Sequence, residues 1–175
     1  MSDRVLVAYS TRSGSTEEVA RAVGIALREA GLDADVLPMP SVNSVEGYAA
    51  LVLGAPLYIG SFPKTFRPFL ARHHAALCVS HPWLFVLGPT RDLESDFAAA
   101  RKQAEKQLAR DSWLHPVELR IFGGCWNPAT LPFPFSLARR LPGSPLSKIP
   151  AADIRDWLAI HAWAESIAQQ IKPAA

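Results

Sequence analysis

Apolar residues in this chain come in short unbroken runs that alternate with longer stretches of helical spacing. The first run, Val5–Tyr9, reads as a strand. From about Thr16 to Ala30, the residues Val19, Ala22, Val23, Ala26, Leu27 and Ala30 recur three and four apart, which predicts a helix that Gly31 stops. A second strand is expected at about Ala34–Met39, where Pro38 and Pro40 suit a sheet edge because proline offers no ladder donor. Ala50–Gly54 and Trp83–Leu87 are continuous apolar runs, the pattern of strands buried on both faces. Between them, Phe66, Phe69, Leu70 and His73 share one side of a helix predicted between Lys64 and His74, with Pro68 forcing a late start or a bend. Phe97, Ala100, Ala104 and Leu108 mark a helix from about Glu94 to Arg110, and Val117–Phe122 reads as a fifth strand. Ile160, Trp163, Ile167 and Ile171 mark a last helix, from about Ile154 to Ile171. Five strands separated by helices predict an α/β fold, a parallel sheet covered on both faces and joined by right-handed crossovers.

Gly123 to Pro150 breaks this rhythm: it is rich in proline and aromatic residues and predicts no element. Loops of that length usually carry function or disorder. The chain has 175 residues, 49% of them hydrophobic and 19% charged, enough to bury a core. The expectation is one domain over 1–175 with a long loop at about 124–150. No apolar run approaches the roughly 20 residues of a membrane span, and a strand at the N-terminus leaves no signal peptide to expect. Cys78 and Cys125 form neither a disulfide framework nor a metal pair, so a reducing, cytoplasmic setting is expected, with both as small buried hydrophobes. A net charge of +2 gives no reason to expect nucleic acid.

The chemistry concentrates where the first strand meets the first helix. Ser10, Thr11, Arg12, Ser13, Gly14, Ser15 and Thr16 make a turn dense in hydroxyls that opens the helix. Backbone N–H groups converge at a helix N-terminus, where the dipole is positive, and hydroxyls add further donors to an anion. With one glycine and no Gly-Lys-Ser/Thr, neither the P-loop nor the dinucleotide fingerprint fits. A lone terminal phosphomonoester, such as that of FMN, does fit. The competing reading is a plain helix cap, Ser15 with Glu18 three residues on forming a capping box. Arg12 either pairs with the phosphate or is solvated.

These residues resemble the flavodoxin superfamily, and within it the single-domain flavodoxins grouped with menaquinone-dependent protoporphyrinogen oxidase. The resemblance covers nearly the whole chain. Its signature pieces are Ser10 to Thr16 (with its Thr-Arg-x-Gly-x-Thr form), Gly54 to Gly60, Leu87 to Thr90, Phe122-Gly123-Gly124 and Asp153 to Trp157. It implies a flavodoxin-like three-layer sandwich with strand order 2-1-3-4-5 and FMN at the carboxyl ends of the strands, where that order reverses. It implies that Pro56, Leu57, Tyr58, Ile59 and Gly60 flank the flavin ring, with Tyr58 able to stack on it and Gly60 able to turn its peptide over. Gly88, Pro89 and Thr90 would meet the pyrimidine edge. The alternatives are a surface turn for the second loop and, for the third, a βα turn whose Asp92 or Ser95 caps the next helix; capping is expected of Asp92.

On this resemblance the flavin carries the chemistry and no side chain acts as nucleophile. The implied activity is oxidation of protoporphyrinogen with a quinone as acceptor. The alternatives are a one-electron carrier serving a redox partner protein and a flavin-free interaction module. In the long segment, Trp126, Leu131, Phe133, Phe135 and Leu137 precede Arg139, Arg140 and Lys148. Apolar anchors beside cations suit an amphipathic acidic substrate or a membrane surface, and a bilayer quinone implies peripheral contact with lipid. The competing reading is a cover over the sheet edge. The histidines, His73, His74, His81, His115 and His161, lack metal-ligand spacing and are expected to pack or be solvated. Asp153 and Asp156 are expected as acids at the start of the last helix. Arg101, Lys102, Lys106 and Arg110 line one helix as a solvated face or a site for an acidic partner.

Overall fold

The structure, a computed structural model, describes residues 4–58, 60–127, 137 and 151–172. Strand β1 (Arg4–Tyr9) lies between β2 (Asp33–Pro38) and β3 (Ala50–Pro56), and β4 (Trp83–Leu87) and β5 (Glu118–Phe122) follow. The order is β2-β1-β3-β4-β5, all parallel, which is the flavodoxin-like order. β2 is an edge strand, and its last residue is Pro38, where a missing N–H leaves no gap in the ladder.

Side chains on β1 alternate between two cores, as the two-residue period of a strand requires. Val5, Val7 and Tyr9 point to the layer formed by α1 (Ser15–Glu29) and the last helix, where Val23, Leu27, Trp163 and Ile167 are buried. Leu6 and Ala8 point to the other layer, with Phe66, Leu70, Leu84 and Leu108. A side chain at Gly54 would overlap the Phe85 ring on the neighbouring strand, so glycine lets that ring fill the first core.

The helices depart from the sequence pattern in three places. The helix expected between Lys64 and His74 is two, α2 (Phe66–Arg72) and α3 (His74–Ser80), parted at His73. Pro68 stands in the first turn of α2, where its absent N–H has no intrahelical acceptor to lose. In α3 only Leu77 is buried, so no apolar period announces it. Helix α4 (Glu94–Leu108) begins at Leu93 with no side-chain cap, so Asp92 does not cap it. The last helix, α5 (Trp157–Ile171), starts three residues later than expected, capped by the Asp156 carboxylate, which accepts from the Ala159 N–H at 2.9 Å.

Asp153 belongs instead to a short antiparallel ladder: β6 (Cys125–Trp126) pairs with β7 (Ala152–Asp153). No strand was expected here. The ladder is seated beyond the end of β5 by two close approaches. The Gly124 N–H donates to the Pro89 carbonyl at 2.6 Å, and the Ile154 N–H to the Gly124 carbonyl at 3.2 Å. A Cβ at Gly123 would overlap the Ile154 carbonyl.

Candidate functional site

In a sheet of this order the connections from β1 and β3 leave in opposite directions, which opens a crevice at the carboxyl ends of those strands. The 10–16 loop sits there. Gly14 holds it in the left-handed region (φ 93) and precedes the first residue of α1. The Gly14 N–H donates to Thr11 Oγ1 at 3.0 Å, and the Gly14 carbonyl accepts from the Glu18 N–H. Ser10 Oγ is 2.5 Å from Thr65 Oγ1, which ties the loop to the start of α2. Two of the five hydroxyls therefore brace the loop itself. Ser15 does not form the capping box: α1 has no side-chain cap, and Glu18 reaches elsewhere. Thr16 is fully buried, and its hydroxyl has no hydrogen-bond partner. A buried polar group costs about 1–3 kcal/mol unless a partner is supplied.

The two carboxylates in the first turn of α1 are both neutralised. Glu17 pairs with Arg21 at 2.7 Å, and Glu18 with Arg155 at 2.6 Å. The Arg155 side chain is 7% exposed and also grips Asp153. This contact holds the Asp153 carboxyl below the usual carboxylate range, and the two acids raise the Arg155 guanidinium in turn. One buried cation thus ties β7 to the first turn of α1 and cancels the negative charge beside the loop.

Beside this loop lies a cleft of about 210 Å³. The structure brings together on its walls Arg12, Ser13 and Ser15, then Pro56, Leu57 and Tyr58, then Gly88 and Thr90. Leu87, Gly124, Cys125 and Trp126 complete it. No carboxylate stands among these lining residues. The Arg12 guanidinium lies over the Tyr58 ring, 4.9 Å from its centroid. Tyr58 and Ser61 exchange backbone hydrogen bonds across a tight turn, and Gln103 Nε2 donates to the Gly60 carbonyl at 2.7 Å. Gly60 and Pro89, like Ser10, Thr11, Gly14 and Thr16, are not part of the cleft lining. Ile59, Phe133, Phe135, Arg139 and Arg140 lie outside the described residues. Leu137 is exposed.

A second recess, of about 530 Å³, shares Arg12 and Tyr58 with the cleft and adds Thr11, Ser61, Phe62 and Lys64. Cys125 and Cys78 are both half-exposed, not the buried hydrophobes expected. Burial pushes the Cys125 thiol up, so it stays protonated at neutral pH. His73 is buried as a packing residue, and its ring lies tilted against Phe69 with the ring centroids 4.8 Å apart. Among the described residues no group of three or more His, Cys, Asp or Glu side chains is placed to hold a metal, and no helix is long and apolar enough to cross a membrane.

Sequence reasoning did not place Leu87 or Cys125 in the cleft, and it set Trp126 with the distant loop residues. Leu87 follows from the parallel register, since the cleft opens at strand ends. Cys125 and Trp126 depend on the pairing Trp126↔Ala152, a contact across a long connection that no local pattern encodes.

Comparison with known proteins agrees with this fold. A family model described as a flavodoxin domain matches residues 6–133. Over 76 residues the chain is 32% identical to protoporphyrinogen IX dehydrogenase [quinone] of Escherichia coli K12. That alignment covers 42% of this chain and 42% of the bacterial protein, so less than half the relative's length is matched. A protein of the same name from Leishmania major is 26% identical over 175 residues, 95% of this chain and 75% of that one. Among solved structures, oxidised flavodoxin 2 from Bacillus cereus superposes with a TM-score of 0.58 at 19% identity, covering 95% of this chain and 99% of that one. Rubredoxin oxygen:oxidoreductase from Desulfovibrio gigas gives 0.59 at 13% identity, covering 98% of this chain and 36% of that one. At these identities the structural likeness establishes the fold.

Proposed function

We propose, from the premise that this chain belongs to the flavodoxin-domain family, that it binds FMN in the cleft beside the 10–16 loop and is an oxidoreductase that oxidises protoporphyrinogen with a quinone as acceptor. The observation that carries the reading is the 10–16 loop at the start of a fifteen-residue helix: Arg12, Ser13 and Ser15 line the cleft, and the neighbouring Thr16 hydroxyl is buried without a partner. That donor set fits a phosphomonoester. The first-turn N–H groups of α1 lack intrahelical acceptors, the dipole favours an anion, and Ser13, Ser15 and Arg12 face the cleft from the same loop. The Arg155–Glu18 and Arg21–Glu17 pairs remove the repulsion that free acids would exert there.

The rest of the cleft fits a flat apolar ring. Pro56, Leu57, Leu87, Tyr58 and Trp126 present apolar or aromatic surface, and Gly88 and Gly124 allow the backbone to approach closely. When bound, FMN supplies the redox chemistry, and the protein positions it and sets its surroundings. With the ring bound, these apolar walls would shield its faces from water. The Arg12 guanidinium, held over Tyr58, borders both the cleft and the second recess. There Arg12 and Lys64 offer positive charge beside Phe62 and Tyr58, which suits a substrate with an apolar body and carboxylates. The reaction is carried over from the two relatives named protoporphyrinogen IX dehydrogenase [quinone].

The test has two steps. FMN is titrated into wild type and Thr16→Ala and followed by flavin fluorescence. Wild type is expected to bind, and the variant to bind about tenfold or more weakly, because a hydrogen bond to a charged group is worth about 1.5–3 kcal/mol. No binding by wild type ends the cofactor reading. The holoprotein is then mixed anaerobically with protoporphyrinogen and a menaquinone analogue. Bleaching of the flavin followed by porphyrin fluorescence supports the reaction. A flavin that stays oxidised with porphyrinogen but is reduced by a flavodoxin reductase overturns it in favour of a one-electron carrier.

A further inference from the structure

We infer that Trp126 is a ring-seating residue of the cleft: its indole forms one wall against a planar heterocycle, and its N–H donates to a carbonyl oxygen or ring nitrogen of that ligand. This rests on the FMN reading above. Three observations lead to it. Trp126 lines the cleft together with Tyr58, from a different element and with Gly88 and Thr90 between them in the chain. The loop from Gly88 to Asp92 carries no aromatic residue, so among the described residues the aromatic surface of the cleft comes from Tyr58 and Trp126. Finally, the Trp126 Nε1 is buried and has no hydrogen-bond partner. Indole nitrogens in proteins usually find an acceptor when buried. Trp163 does so here, donating to Glu118 at 2.8 Å. The Trp83 indole nitrogen is also unpartnered, but Trp83 opens a central strand away from the cleft.

Trp126 is also held firmly enough to serve as a wall. It pairs with Ala152 in the ladder, Gly124 is bonded to Pro89 on the third loop, and Arg155 ties the next residues to α1. These ties link the ring wall to the first turn of α1, which opens from the phosphate loop, so a ligand touching both would be gripped at its two ends by one connected unit.

The experiment follows the tryptophan indole N–H resonances of ¹⁵N-labelled wild type during titration with FMN and with riboflavin, which has the ring but no phosphate. The Trp126 resonance, identified by sequential assignment, is expected to move with both ligands and to stay in place with inorganic phosphate. Trp126→Phe keeps a ring and removes the donor, whereas Trp126→Leu removes both. Phenylalanine is expected to weaken FMN and riboflavin by a similar factor, about tenfold, and leucine by more. If wild type binds no FMN, the reading beneath the inference fails. If wild type binds FMN while the Trp126 resonance stays fixed, or Trp126→Phe binds both flavins as wild type does, the inference is overturned. The resonance measurement needs no variant, so it decides the matter even where a substitution impairs folding.

Discussion

Two histidines pull the stability of this protein in opposite directions as pH changes. His161 on α5 contacts Glu29 at 2.9 Å and Glu165 at 3.7 Å, and the Glu29 contact raises its pKa above the ordinary 6.5. Its contribution is full below about pH 6.5 and fades as pH rises through the raised value. Burial lowers the pKa of His73, so its contribution is full above 6.5 and is lost as pH falls through the lowered value. Thermal melts of wild type and His161→Gln should therefore differ most near pH 6 and converge toward pH 9; a difference that grows with pH would refute the assignment. At this scale the sequence was informative wherever function and neighbours in the chain coincide. The strand, the hydroxyl turn and the helix of the 10–16 loop are contiguous, so the loop could be read directly. The partners of Arg155 could not: its ion pair with Glu18 spans most of the chain, and only the folded sheet brings the two together.

At the scale of elements, the strands were legible to within two residues: β1, β3 and β4 are apolar runs buried over nearly their whole length, while the edge strands β2 and β5 are only partly buried. Helix ends were less so. Asp92 and Ser15 both have cap-forming side chains at plausible places, yet α4 and α1 start without a side-chain cap, and among the described α-helices only α5 has one, from Asp156. Acids and hydroxyls near a helix start have several local options, and tertiary partners decide among them. The α2–α3 break was hidden because α3 buries a single leucine. The β6–β7 ladder has the sharpest consequence. Gly123→Ala would force a methyl group into the Ile154 carbonyl, and neither backbone can yield without unseating the ladder. Overpacking of this kind costs about 1–3 kcal/mol. The variant should melt at lower temperature and lose FMN affinity, while amide exchange in β1, β3 and β4 stays slow. Retained affinity would show that the ladder does not contribute to the cleft.

Across the whole molecule, the order of the sheet was not in the hydrophobic pattern. Alternating strands and helices allow several orders, and 2-1-3-4-5 came from the resemblance carried by a few loop residues. The structure has that order and places those loops at one end of the sheet. The ladder also closes a loop: residues 126 and 152 are paired, so the chain between them begins and ends at the same spot. A protein in which 128–150 is replaced by a short Gly-Ser linker should keep its cooperative thermal unfolding and its FMN affinity. Each halving of the closed length recovers only about 0.6 kcal/mol of closure entropy, so shortening does not strain the rest. Loss of the fold in that chimera would show that the excised stretch is part of the scaffold. If the chimera folds, this junction is a natural graft point. Descendants of one ancestor could exchange whole cassettes there while inheriting the sheet and its cleft unaltered.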